Sequence, residues 1–223
     1  MKKFKLKKTT LTTIITIIAI VIAYFVMNTL NNSGVLSNVM SGLLVRICVW
    51  SIMAVSLNLV VGILGELSLG HAGFMYVGAF TGSLFTQITA DMISNDLLRF
   101  VIGILIGAVT AAIFGILIGS AVLRLQGDYL AIVTLAFGEI IKGILGTVIV
   151  AFDSKGFHFS LNNTTDLLEK GVKSGDIIVK GSQGILKIQR SSTFLIGIIL
   201  LIITVLIVMN LSLIHISEPT RPY

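Results

Sequence analysis

The chain has 223 residues, of which 55% are hydrophobic and only 12% charged, whereas soluble domains carry about 25% charged residues. Its mean hydropathy is +1.02, and the apolar residues fall in runs of about twenty, the length of a membrane-spanning helix. No segment alternates with the period of two that a membrane β-barrel requires. These features exclude a water-soluble enzyme and predict an all-α, polytopic bundle of transmembrane helices.

The net charge of +6 does not indicate a nucleic-acid partner, because no basic stripe carries interleaved aromatic residues. A basic cluster before the first apolar run instead predicts a cytoplasmic N terminus. The single cysteine, Cys48, lies in an apolar run, so an intrachain disulfide is excluded and packing is expected. The clustered basic residues are Lys2, Lys3, Lys5, Lys7 and Lys8.

The first span is predicted at residues 11–30, after a basic tail at residues 1–10. We interpret it as a retained anchor, because it is too long for a signal peptide and no A-x-A cleavage site follows. A second span is predicted from about Ser41 to Gly62. Residues 65–85, GELSLGHAGFMYVGAFTGSLF, hold five glycines, which predicts a broken or re-entrant first part and a regular helix by Phe74.

The fourth span, from about Leu98 to Leu123, contains small residues at every fourth position. Residues four apart share one helix face, so this spacing predicts a groove for close helix packing. The alternative is the ordinary abundance of glycine in membrane helices. The ladder consists of Gly103, Gly107, Ala111, Gly115 and Gly119.

A fifth span is predicted from about Tyr129 to Phe152 and a last one at residues 193–211, which makes about six crossings. The polar residues 153–192 between them predict an external loop subdomain. Within this loop, Asp166 and Glu169 have capping-box spacing, and DIIVKGSQGILKI predicts a hairpin around two glycines. The predicted regions are a basic tail (1–10), a transmembrane bundle (11–152), the loop (153–192), a last helix (193–211) and a tail (212–223).

The terminal stretch SLIHISEPTRPY differs in composition from everything before it. Both prolines of the chain lie here, directly after an apolar run. We predict that the residues from about Ser212 onwards are not native and that the natural protein continues.

Two charges interrupt the fifth span, and they are the main chemical signal of the sequence. Glu139 is about eleven residues into its helix, where an isolated carboxylate costs about 3 kcal/mol on insertion scales. Lys142, one turn further, is positioned to form an ion pair with it. Either the pair only fixes helix packing, or Glu139 lies beside the route of a zwitterionic or cationic solute. Glu66 and His71 are the other path candidates; they line the inner mouth or merely bind headgroups and water.

Catalytic and cofactor motifs are missing from the sequence. There is no nucleotide-binding G-x-x-x-x-G-K-[ST] loop, no G-x-S-x-G elbow and no H-E-x-x-H pair. The three histidines have no partners at metal-ligand spacing. We therefore expect no catalytic residue, no metal and no cofactor on this chain.

Two segments resemble the LivM-type permeases of bacterial ATP-binding-cassette (ABC) importers for branched-chain amino acids. They are GELSLGHAGFMYVGAF (65–80) and LRLQGDYLAIVTLAFGEIIKGIL (123–145), and the resemblance extends over about residues 43–150. The later GSQGI, residues 181–185, is similar to an element of that family's external loop. The matching positions are Ser68, Leu69, Gly70, His71, Ala72, Phe74, Gly127, Asp128, Tyr129, Thr134, Gly138 and Glu139.

The resemblance implies a permease subunit that translocates leucine, isoleucine or valine across the bacterial cytoplasmic membrane. It also implies a second permease subunit, two cytoplasmic ATPase subunits that hydrolyse ATP and an extracytoplasmic binding protein. In this family the helix that docks on the ATPase lies after the next span. The resemblance therefore implies that the chain as written inserts into the membrane without coupling to ATP.

Two other functions remain open at this stage. A secondary transporter would use Glu139 as an ion carrier, and its uptake would collapse with an uncoupler while ATP is held constant. A non-transporting membrane scaffold would use the small-residue ladder for assembly. It would show no solute-dependent change in protection along the fifth span.

Overall fold

The computed structural model describes residues 2–33, 37–90, 92–122, 125, 127–153, 156–161, 165, 176–186 and 193–217. Within these residues the chain forms six long α-helices and three β-strands, so the all-α prediction is confirmed, with a small sheet added. The helices are α1 (Lys2–Asn32), α2 (Asn38–Asn58), α3 (His71–Ile88), α4 (Asp96–Val122), α5 (Asp128–Thr147) and α6 (Phe194–Ser217). The strands are β1 (Val148–Asp153), β2 (Gly156–Leu161) and β3 (Ile177–Lys180).

Five of these helices are long and apolar enough to cross a membrane. The exception is α3, whose 18 residues are more polar but reach about 27 Å at a rise of ~1.5 Å per residue. The five candidate spans are Thr13–Asn31, Gly42–Gly62, Asp96–Val122, Asp128–Thr147 and Phe194–Leu211. The chain divides into two compact units, Met1–Gly65 with Ser192–Tyr223 and Glu66–Ser191.

The first unit contains α1, α2 and α6, held together by apolar contacts. Cys48 of α2 is 2% exposed, and a Cβ added at Gly197 of α6 would lie 3.0 Å from its Cβ. The predicted packing role of the cysteine is thereby confirmed. Tyr24 of α1 stacks on Phe194 at the start of α6, with ring centroids 5.5 Å apart.

The second unit is built around α3, which packs against α4 on one side and α5 on another. Because Gly78 faces Gly107 and Gly82 faces Gly103, α3 and α4 run antiparallel. Arg99 stabilises the turn between these two helices by hydrogen bonds to its carbonyl groups.

The fifth span ends earlier than predicted. The helix stops at Thr147 and the chain continues without a connecting residue into β1, so the extension to Phe152 was wrong. The run Val148–Val150 is apolar and β-branched, which suits a strand as well as a helix. Antiparallel pairing with β2 and β3 decides the outcome, giving the strand order β2-β1-β3.

The hairpin predicted around Gly181 and Gly184 is confirmed for its described part. Val179 of β3 bridges Ile185 in antiparallel fashion, and the Lys180 N–H donates to the Gly184 carbonyl at 3.0 Å. Gly181 and Gly184 adopt φ values of 51° and 73°, the left-handed region that favours glycine. The capping-box pair at positions 166 and 169 lies outside the described residues.

Candidate functional site: the crossing of α3 and α5

The glycine-rich segment before α3 is irregular, as predicted. A π-helical stretch, Leu59–Leu64, follows α2 and ends at Gly65, whose φ is 75°. Residues 65–70 form no helix, and α3 begins at His71.

The start of α3 lies directly against α5. A Cβ added at Gly70 would collide with the Thr134 carbonyl oxygen, and one at Gly73 would lie 2.9 Å from the Cα of Gly138. Only glycine permits so close an approach of the two backbones. The two sequence segments that carry the family resemblance, about 65 residues apart, are therefore in contact with each other.

A side chain of α5 satisfies the backbone of the irregular segment. The Leu69 N–H donates to the Thr134 hydroxyl oxygen at 3.1 Å, and that hydroxyl donates to the Ala131 carbonyl at 3.0 Å. Thr134 is only 7% exposed. In lipid an unpaired amide costs several kcal/mol, so this bond removes that cost for one amide of the irregular segment.

The end of the irregular segment is level with the candidate membrane span of α5. Gly70 is level with Thr134, six residues into α5, which corresponds to about 9 Å along the helix at a rise of ~1.5 Å per residue. Non-helical backbone at such a depth occurs only where protein or water surrounds it. Residues 65–69 therefore require a protein or aqueous environment on the side that the described residues leave exposed.

The ion pair expected in the fifth span is present. The Lys142 Nζ lies 3.6 Å from the Glu139 Oε2, and the two side chains are 69% and 67% exposed. α5 buries its opposite face, which carries Thr134, Phe137 and Ile141. Among the described residues of the second unit the pair is not shielded, and its function in solute movement stays a prediction.

The other candidates near the break differ in exposure. Glu66 and Ala72 are exposed, whereas Ser68 and His71 are half-buried. Phe74 packs on Phe137 of α5, with ring centroids 5.1 Å apart. Glu66 and His71 thus lie in and just after the irregular segment, and their role as path residues stays a prediction.

The second motif begins with a tight turn before α5. Gly127 has a φ of 60° and precedes the first helical residue, Asp128, whose charge favours the positive helix N-terminus. Tyr129 is 73% exposed. This half of the motif shapes the entry into α5, and the half around Thr134 and Gly138 forms the contact with α3.

The first half of the small-residue ladder of α4 packs closely against α3. A Cβ at Gly82 of α3 would lie 2.7 Å from the Gly103 carbonyl oxygen, and one at Gly78 would lie 3.0 Å from the Gly107 oxygen and 3.5 Å from the Ala111 Cβ. At Gly115 and Gly119 no atom of the described residues lies within 4 Å of an added Cβ. Packing at those two glycines stays a prediction.

Two polar features of the α3–α4 pair were not predicted. The Thr81 and Thr110 hydroxyls lie 2.7 Å apart across the helices. Arg99 is 4% exposed, and its guanidinium donates to the Ala90 and Ile93 carbonyls at 3.0 and 3.2 Å and to the Asp96 carboxylate at 2.7 Å. The three-residue spacing of Asp96 and Arg99 was the available signal in the sequence.

Comparison with known proteins agrees with this arrangement. Residues 39–213 match the family model described as "Branched-chain amino acid transport system / permease component". The chain belongs to this permease family. With its apolar helices, it is a multi-pass membrane protein.

Two curated relatives are similar over the central part of the chain. One is the high-affinity branched-chain amino acid transport system permease protein LivM of Escherichia coli (strain K12), 43% identical over 97 residues. The same-named protein of Salmonella typhimurium (strain LT2) is 41% identical over 97 residues. Each alignment covers 44% of this chain and 21% of the relative, so the match spans about a fifth of the relatives' length. No solved structure matches this chain.

Proposed function

We propose that this chain is part of the substrate-translocating permease subunit of an ABC importer for branched-chain amino acids. The contact between the irregular segment and α5 carries the proposal. It joins the two segments of the family resemblance within the candidate span of α5, and the opposite face of the same helix bears an ion pair. Leucine, isoleucine and valine are zwitterionic, so their path needs polar groups, which non-helical backbone and charged side chains within a span provide.

The energy source is proposed to be a separate protein. ATP hydrolysis then takes place on two cytoplasmic ATPase subunits, and the sequence of this chain carries no phosphate-binding loop. A second permease subunit completes the translocation unit, and an extracytoplasmic binding protein delivers the amino acid. The basic cluster before the first span supports a cytoplasmic N terminus in the bacterial plasma membrane.

Uptake in the source bacterium tests the proposal. We expect deletion of the encoding gene to abolish high-affinity uptake of radiolabelled leucine, isoleucine and valine, and the intact gene to restore it. Depletion of ATP should stop the uptake, whereas an uncoupler applied at constant ATP should not. Collapse with the uncoupler would favour a secondary transporter, and unchanged uptake in the deletion strain would favour a scaffold.

A further inference from the structure

The three-stranded sheet has two faces of different character. In antiparallel strands, residues opposite each other lie on the same face, and β2 aligns Leu161 with Val148, Phe159 with Val150, and Phe157 with Phe152. Val148 and Val150 are buried against Phe80 and Leu84 of α3. The face that carries these pairs is therefore the one that the sheet directs towards the membrane helices.

Only the β1 and β3 part of this face is covered. On β2 the three apolar side chains Phe157, Phe159 and Leu161 are 54%, 50% and 57% exposed; we call them the β2 apolar face. The alternate residue Ser160 is buried on the other side of the strand. A strand that exposes its large apolar side chains and buries its serine is reversed relative to a strand facing water.

The level of β2 relative to the bilayer follows from the chain path. β1 starts directly after Thr147, the last residue of the α5 span, and Leu161 is opposite the first residue of β1. At a rise of ~3.4 Å per residue, Phe159 and Phe157 lie about 7 and 14 Å further along the strand. A headgroup layer is about 5–7 Å thick on each side of the hydrocarbon. Leu161 and Phe159 are thus within reach of the lipid interface.

We propose that the Leu161 end of the β2 apolar face contacts the bilayer, with Leu161 at the acyl-chain boundary and Phe159 among the phospholipid headgroups. The face continues the apolar surface that covers the top of α3, and lipid is what lies at this level beside a membrane helix. Among the described residues β2 has a neighbouring strand on one side only. Its outer edge carries backbone groups that need hydrogen bonds, which headgroups and interfacial water provide and hydrocarbon does not.

Tryptophan fluorescence in lipid bilayers tests this placement. The chain has one tryptophan, Trp50, which lies in the second span and is 64% exposed. In a Trp50→Phe background, single tryptophans are introduced at Leu161, Phe159 and Phe157, and the chain is reconstituted in vesicles with and without acyl-chain-brominated phospholipid. Wild-type Trp50 serves as the positive control. His158→Trp, on the opposite sheet face, serves as the negative control.

We expect quenching by brominated lipid at Leu161→Trp comparable to that of Trp50, weaker quenching at Phe159→Trp and the least at Phe157→Trp. The tryptophan emission of Leu161→Trp and Phe159→Trp should also be blue-shifted. Quenching at Leu161→Trp and Phe159→Trp no greater than at His158→Trp would overturn the proposal. Equally weak quenching at these two positions, combined with a blue-shifted emission, would indicate that a second protein chain covers the face. Circular dichroism and thermal unfolding matching the Trp50→Phe background identify the variants whose fold is intact. Phe→Trp at half-exposed positions leaves room for the larger ring.

Discussion

The Leu69 amide and the Thr134 hydroxyl form a hydrogen bond of 3.1 Å across 65 residues of sequence. It pairs a backbone donor that the irregular segment cannot satisfy within itself. The same hydroxyl also bonds its own helix, at the Ala131 carbonyl, so both hydrogen-bonding functions of the threonine are used. The break before α3 and the neighbouring helix are thus one structural feature.

Thr134→Val should therefore destabilise the second unit. The substitution keeps the volume and removes the acceptor, and a buried donor left unsatisfied costs about 1–3 kcal/mol. We expect a lower free energy of unfolding in mild detergent and reduced leucine uptake when the variant gene is placed in the deletion strain. Thr134→Ser, which retains the hydroxyl, should recover both.

Thr147→Val is the matched control, because this exposed threonine donates only to the Ile144 carbonyl of its own helix, at 2.8 Å. It should lie close to wild type. Equal stability of Thr134→Val and Thr147→Val would show that the bond to Leu69 is dispensable.

Gly82→Ala should push α3 and α4 apart. The added Cβ would lie 2.7 Å from the Gly103 carbonyl oxygen, and backbone of a packed helix cannot yield as a flexible side chain does. Overpacking of this kind costs about 1–3 kcal/mol, measurable as a lower midpoint of thermal unfolding. Gly119→Ala, whose added Cβ has no atom of the part of the chain that the structure describes within 4 Å, should be neutral or slightly stabilising through helix propensity. A neutral Gly82→Ala would contradict the close approach of the two helices.

The sequence predicted the spans well because each is a long apolar run, and hydrocarbon accepts helices of that length. The glycine-rich composition of residues 65–85 also located the break, although only Gly65 and Gly70 lie in it and the other three glycines belong to α3. The same reasoning could not predict that α5 ends at Thr147. The sequence of Val148–Val150 is compatible with a helix or a strand. These residues form a strand because they pair with residues 156–161 and 177–180.

The site was predictable in its residues but not in its contacts. The resemblance marked Gly70, Thr134 and Gly138 as positions of interest, yet no spacing rule places the first against the second. The exposure of Glu139 on α5 was also unforeseen. Amphipathic analysis assumes that a charge in a bundle faces inward, whereas here the buried face of α5 is occupied by the α3 contact.

Arg99→Leu should loosen the turn between α3 and α4. The guanidinium satisfies the Ala90 and Ile93 carbonyls at once, and a buried acceptor left without a partner costs about 1–3 kcal/mol. Arg99→Lys should restore only part of this, because an ammonium cannot reproduce the planar fork. Limited proteolysis of the turn and thermal unfolding would measure the loss. Arg46→Leu, at an exposed arginine, is the control, and an equal loss there would make the effect one of charge alone.

Variants of the α5 ion pair distinguish the two interpretations of Glu139, as a packing residue or as a residue of the solute path. Glu139→Gln leaves Lys142 unpaired and Lys142→Gln leaves the carboxylate unpaired, each costing about 3 kcal/mol at mid-span on insertion scales. We expect both single variants to reduce leucine uptake at least about tenfold, equivalent to ~1.4 kcal/mol. Uptake is measured in the deletion strain and normalised to the amount of protein in the membrane.

The double variant Glu139→Gln/Lys142→Gln carries no charge at either position, so it removes the cost of an unpaired ion. If the two charges only offset each other, the double variant should regain near wild-type uptake. We expect it instead to insert normally and remain defective, because a solute that carries an ammonium group loses its carboxylate partner on α5. Recovery of uptake in the double variant would contradict a path along this face and leave the pair a packing feature.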